Sequence, residues 1–174
     1  VSTFRPNVQE RIHDSARTML GECEEQCARI EGGIHYLQQH PRALESFRLA
    51  NQAMSAAMKK TRPKDSPRWR VFQLAFLLVA IPSSTDRQHD ERTVLDLIWF
   101  PTGGGKTEAY LGLTAYVIFH RGLTADRSDR ELGTVVLTRY TLRLLTIQQT
   151  ERAALILLAC EYVRRRHPHL QHQA

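Results

Sequence analysis

Apolar residues recur at spacings of three, four and seven through the first third of the chain. Val8, Ile12, Met19, Leu20, Cys23, Cys27 and Ile30 fall on one helical face. Asn7 followed by Glu10, just after Pro6, supplies a capping arrangement at the start. Gly32-Gly33 is predicted to interrupt this helix. Pro41 suits the first position of a second one, whose apolar face runs through Leu44, Phe47, Ala50, Met54 and Ala57 to about Lys60. Residues 1–60 thus predict a helical hairpin packed on something larger. Residues 61–66 (Thr-Arg-Pro-Lys-Asp-Ser) read as a polar linker. Ser66-Pro67 reads as the cap and first turn of a helix that ends before Pro82. Cys23 and Cys27 lie one turn apart, with no second ligand pair at a zinc-binding spacing, so they are assigned to core packing.

The pattern changes beyond a polar, looped stretch at 83–92. Residues 94–99 (Val-Leu-Asp-Leu-Ile-Trp) form a β-branched and apolar run, predicted as a buried strand. A helix-length apolar stretch follows at 108–119, then a charged segment at 121–131. Residues 133–138 (Gly-Thr-Val-Val-Leu-Thr) are predicted as a second strand. A long helix follows over 141–166, burying Leu142, Leu145, the 153–160 block and Val163. Strand, helix and strand make one βαβ unit, whose crossover should be right-handed. Two strands do not make a parallel sheet that helices can cover on both faces, so the expectation is the front portion of a larger α/β domain.

Charge changes this picture modestly. Lys plus Arg is 24 against 18 Asp plus Glu, a net of +6 over 174 residues. That is a mild preference for polyanionic partners, sharpened by clustering. Lys59, Lys60, Arg62, Lys64, Arg68 and Arg70 form one cluster, and Arg164, Arg165 and Arg166 another. Three cysteines in no framework spacing suggest a reducing, cytoplasmic setting. The longest uncharged apolar run, 71–82, is too short to span a bilayer, and no signal peptide opens the chain; the expectation is a soluble protein with no membrane partner.

The strongest chemical signal is at 101–108, Pro-Thr-Gly-Gly-Gly-Lys-Thr-Glu. Three consecutive glycines let the backbone curl so that successive N–H groups face an anion. Lys106 adds a mobile positive charge for β- and γ-phosphates, and the Thr107 hydroxyl is placed to ligate Mg²⁺. The helix that begins there points its positive dipole end at the same phosphates. Where such loops usually have a small residue, position 100 is Phe. Thr102, Gly103, Gly104, Gly105, Lys106, Thr107 and Glu108 are therefore the expected ATP and Mg²⁺ contacts, with Lys106 and Thr107 the catalytic candidates.

Gln73 lies upstream in Arg-Trp-Arg-Val-Phe-Gln. Its amide offers a donor and an acceptor that match the N6/N7 edge of adenine, with Phe72 and Arg70 framing base and ribose. Read alone, it is a surface glutamine beside a core Phe; coupled to the glycine loop, the adenine role is the better reading. Arg139, Tyr140, Thr141, Arg143 and Gln148 follow the second predicted strand. They offer arginines, hydroxyls and an amide to phosphodiester oxygens, and a ring for base stacking. The competing reading is the solvated side of an amphipathic helix. His167, His169 and His172 read as a polar tail, and Asp90-Glu91 precedes the glycine loop and follows no strand, so it is not read as a metal-binding pair.

Together these pieces resemble the first motor domain of a superfamily 2 helicase. Phe72-Gln73 stands where that family's glutamine motif lies, and residues 101–107 match its motif I. Residues 141–148 resemble motif Ia through Arg143, Leu145 and Gln148, although Thr141 and Leu142 replace the usual Pro and Thr. Residues 99–113, 139–149 and 47–54 are similar to the helicase-like component of the bacterial DISARM anti-phage systems. The resemblance implies a P-loop NTPase, RecA-like α/β fold over residues 61–174, of which only the N-terminal part is present, preceded by the helical extension 1–60. It implies an ATP- and Mg²⁺-dependent motor on DNA, working with a partner subunit in phage defence. The acidic motif II and the later motifs are absent from these residues, so a fragment of the motor is expected. A nucleotide-gated DNA clamp or sensor uses the same loop and remains the alternative.

Overall fold

The computed structural model describes residues 5–61, 66–99, 104–124, 133–139 and 145–171. Six helices account for most of them: α1 (Arg5–Gln39), α2 (Pro41–Thr61), α3 (Val71–Thr85), α4 (Lys106–Thr124), α5 (Leu145–Arg166) and the short α6 (Pro168–Gln171). A 3₁₀ turn lies at Asp90–Thr93. Among the described residues there is no β-strand, which overturns the α/β, P-loop RecA-like fold expected from the sequence. Both segments expected as strands are present, but neither is in a sheet. Residues 94–99 alternate in exposure, with Asp96 and Ile98 turned inward and Leu95, Leu97 and Trp99 outward at 93%, 84% and 90% exposed. Val135, Val136 and Leu137 are exposed as well. A strand exists through hydrogen bonds to a neighbour; local β propensity at these positions meets no partner ladder here, and no sheet forms.

The helices are built as the apolar spacing requires. On α2, Ala43, Ser46, Leu49, Ala50, Ala53, Met54 and Ala57 make one buried stripe. Its small side chains let α4 and α5 approach closely, and α2 packs most extensively on these two. From α4 come Ala109, Leu111, Gly112, Ala115, Tyr116 and Phe119. From α5 come Ile156, Ala159, Cys160 and Val163. Burial pushes the Cys160 thiol up to about 12. α3 bridges α1 and α4, burying Leu77 and Ile81. A line of hydroxyls ties these three helices together: Thr85 Oγ1 lies 3.3 Å from the Tyr36 hydroxyl and 3.4 Å from that of Tyr116.

Two helix boundaries depart from the sequence expectation, and one contact explains both. α1 runs unbroken through Gly32-Gly33, and α3 runs through Pro82 to Thr85. Pro82 has no N–H, so the Leu78 carbonyl lacks its usual donor one turn on. That carbonyl faces Gly33, where a Cβ would collide with it. The glycine marks a close approach of two helices rather than a break, and the proline falls in the last turn, where a lost hydrogen bond costs least. α3 also begins later than Ser66-Pro67 predicts, with Arg70 as its N-cap residue.

From Ile12 to Cys27 the stripe expected on α1 meets no partner among the described residues. Ile12, Met19 and Leu20 are exposed, and so are Cys23 and Cys27, against their assignment to core packing. α1 joins the body from Arg29 onward. The Arg29 guanidinium donates to Glu91 Oε2 and to Asp96 Oδ1, each at 2.8 Å, and pins the 94–99 segment to α1. Burial works against its charge, but the two carboxylates more than offset this and raise its pKa.

Candidate functional site

α4 begins at Lys106, directly after a turn through Gly104 and Gly105. Gly105 has φ +88°, a left-handed backbone conformation that glycine adopts without strain. A Cβ there would also stand 2.8 Å from Nε2 of Gln73, so a larger residue would have to displace that amide as well as adopt a strained backbone. Pro101, Thr102 and Gly103 lie outside the described residues.

The N-terminus of α3 is built against this turn. Gln73 is 4% exposed, and both ends of its amide are engaged within the protein. Oε1 accepts the Arg70 backbone N–H at 2.8 Å, which is one half of a capping box. Nε2 donates to the Gly105 carbonyl at 2.7 Å. The Arg70 guanidinium donates to the Gly104 carbonyl at 2.9 Å. The structure thus brings Arg70, Gln73, Gly104 and Gly105 together, although more than thirty positions separate the two segments. Phe72 lies elsewhere: it lines a cleft of about 530 Å³ between α1, α3 and residues 94–99.

The first turn of α4 carries the remaining loop chemistry. The Tyr110 hydroxyl donates to Thr107 Oγ1 at 3.1 Å, which leaves the oxygen's remaining lone pair for another partner. Glu108 accepts from Arg152 of α5 at 2.5 Å, joining the start of α4 to the middle of α5. Tyr110 and Arg152 were not identified in the sequence. Tyr110 stands one helical turn after Thr107, a spacing that could have flagged it. Arg152 is distant in sequence and bears no local signal.

Of the residues expected to contact nucleic acid, Arg139 and Gln148 are described and exposed. Tyr140, Thr141 and Arg143 lie outside the described residues. Glu91 of the acidic pair is a partner of Arg29. Among the described residues no group of three or more His, Cys, Asp and Glu side chains is arranged to hold a metal, and no helix is long and apolar enough to cross a membrane.

No family model matches the chain, and no solved structure does. The DISARM protein DrmA of Bacillus paralicheniformis is 38% identical to it over 172 residues, an alignment that takes in 88% of this chain and 15% of that protein. The chain therefore spans a small part of the relative's length. Identity of this extent along nearly the whole chain relates it to that DISARM component.

Proposed function

We propose that the turn at 104–107 binds the phosphates of ATP with Mg²⁺, as the nucleotide-binding part of an ATP-dependent DNA helicase or translocase in bacterial anti-phage defence. The observation that carries this reading is the Gly104-Gly105-Lys106 turn at the head of the 19-residue helix α4, with Gly105 in the left-handed conformation. Such a turn points successive N–H groups at one anion, and the dipole of a long helix adds to it. Lys106 would meet the terminal phosphates and Thr107 Oγ1 the metal ion, while Glu108, paired with Arg152, fixes the first turn of α4. Mg²⁺ held by Thr107 would supply positive charge that offsets the charge of the phosphates. The defence role, and action on DNA beside a partner subunit, rest on the relation to the DISARM protein. Arg139, Tyr140, Thr141, Arg143 and Gln148 are the proposed nucleic-acid contacts.

The test is Lys106→Ala in the full-length protein. Losing the amine should nearly abolish ATP turnover, because it offsets charge on the transferred phosphoryl group. Undiminished turnover in a steady-state ATPase assay would refute the proposal.

A further inference from the structure

We infer that Arg70 and Gln73 are positioning residues for the phosphate loop, and that the site binds the phosphates of a nucleotide without reading its base. This rests on the triphosphate-binding reading above and specifies the class of nucleotide it takes.

The argument starts from the peptide unit. In a planar trans peptide the C=O and the N–H point in opposite directions. Arg70 holds the Gly104 carbonyl, so the Gly105 N–H is turned to the opposite side. Gln73 holds the Gly105 carbonyl, so the Lys106 N–H is turned the same way. With Gly105 at φ +88° between them, these two successive N–H groups are the donors this reading assigns to an anion. The hydrogen bonds from α3 thereby preset the donors that an incoming phosphate meets. Without them, each peptide is freer to rotate and the anion must order it.

The same bonds bear on base recognition. Pairing with the adenine edge takes an amide whose donor and acceptor both face the base. In Gln73 the oxygen caps α3 through the Arg70 N–H and the nitrogen holds Gly105, and the side chain is 4% exposed. Turning it toward a base would break both bonds, exchanging two hydrogen bonds already made for two others, so the exchange gains little. Phe72, the expected framing ring, lines a different cleft.

The experiment is calorimetric titration of the full-length protein with ATP, GTP and inorganic tripolyphosphate, each with Mg²⁺. The wild type and two variants are compared. Gln73→Met keeps the buried volume and removes both hydrogen bonds. Arg70→Met alters an exposed side chain and frees only Gly104. Wild-type affinities for ATP and GTP should agree within about threefold. Gln73→Met should weaken all three ligands by a common factor of roughly five to thirty, corresponding to one or two hydrogen bonds. Arg70→Met should act in the same direction on all three. Weakening confined to ATP would overturn the inference in favour of adenine reading. Unchanged affinities in both variants would overturn it by showing that the two contacts do not act on the loop. A wild type that binds none of the three fails differently, because then the triphosphate reading itself falls.

Discussion

Gly32 and Gly33 are neighbours in the same helix, and substituting each by Ala should move stability in opposite directions. Ala is better than Gly in a helix interior by about 0.8–1 kcal/mol, a gain both positions share. At Gly32 a new Cβ meets nothing within 4 Å, so the gain stands alone. At Gly33 the Cβ would lie 2.7 Å from the Leu78 carbonyl carbon and closer still to its oxygen. These are backbone atoms of α3 and cannot turn aside as a side chain could. α1 and α3 must move apart, loosening the Tyr36–Thr85 contact and the packing around Leu37. Overpacking of this kind costs about 1–3 kcal/mol, and more where backbones must shift. The expected outcome is Gly32→Ala stabilised by about 0.5–1 kcal/mol and Gly33→Ala destabilised by about 1–2 kcal/mol. Urea denaturation followed by circular dichroism, with m unchanged, measures both. Equal stabilisation by the two substitutions would refute the close approach of α1 and α3, and with it the account of why the helix passes through two glycines.

Two other features are open to test. Arg29→Met should leave the partly buried carboxylates of Glu91 and Asp96 facing each other without a cation, at a cost of about 1–3 kcal/mol after allowing for their partial exposure. Amide exchange over 94–99 should rise in that variant, and an unaltered exchange pattern would show that Arg29 does not hold the segment. His120 has its pKa lowered, first by burial and then by the charges of His40 and Arg42. The unfolded chain therefore takes up that proton first, and stability should fall as pH drops from about 7 toward 5. Comparing urea midpoints for wild type and His120→Gln across that range should show a flatter slope in the variant; identical slopes would rule the contribution out.

How far the sequence could be read depends on whether a feature is decided locally. The buried face of α2 was legible in part: Ala50, Met54 and Ala57 lie on it, Leu44 and Phe47 are half-buried beside it, and Pro41 marks the start where it is found. α4 was legible from its apolar run, though it begins two residues before that run, at Lys106. Gly32-Gly33 and Pro82 are breakers by propensity alone. They were misread because the contact that accommodates them joins residues 33 and 78. The strands failed for a related reason. Val94, Leu95 and Ile98 favour extended backbone in any setting, but a strand requires a second segment to accept and donate its hydrogen bonds, and spacing within one segment does not reveal that. α1 shows the converse: Ile12, Met19 and Leu20 fall on one face, yet that face meets no partner among the described residues.

The candidate site divides along the same line. The glycine loop was found because its chemistry is contiguous, with backbone freedom, cation and hydroxyl in consecutive positions. Gln73 and Arg70 were found as residues, and the structure sets them against the loop, yet the role inferred for them changes. A glutamine can serve a base edge, a helix cap or a carbonyl, and only the neighbours decide among these. Here the cap lies three residues back and the carbonyl belongs to Gly105. Arg152 was invisible for want of any local context, although it meets Glu108 beside the loop. α5 carries this arginine, and Gln148 one turn before it is exposed. The ion pair therefore joins the helix that heads the proposed phosphate site to the helix that bears Gln148, one of the proposed nucleic-acid contacts.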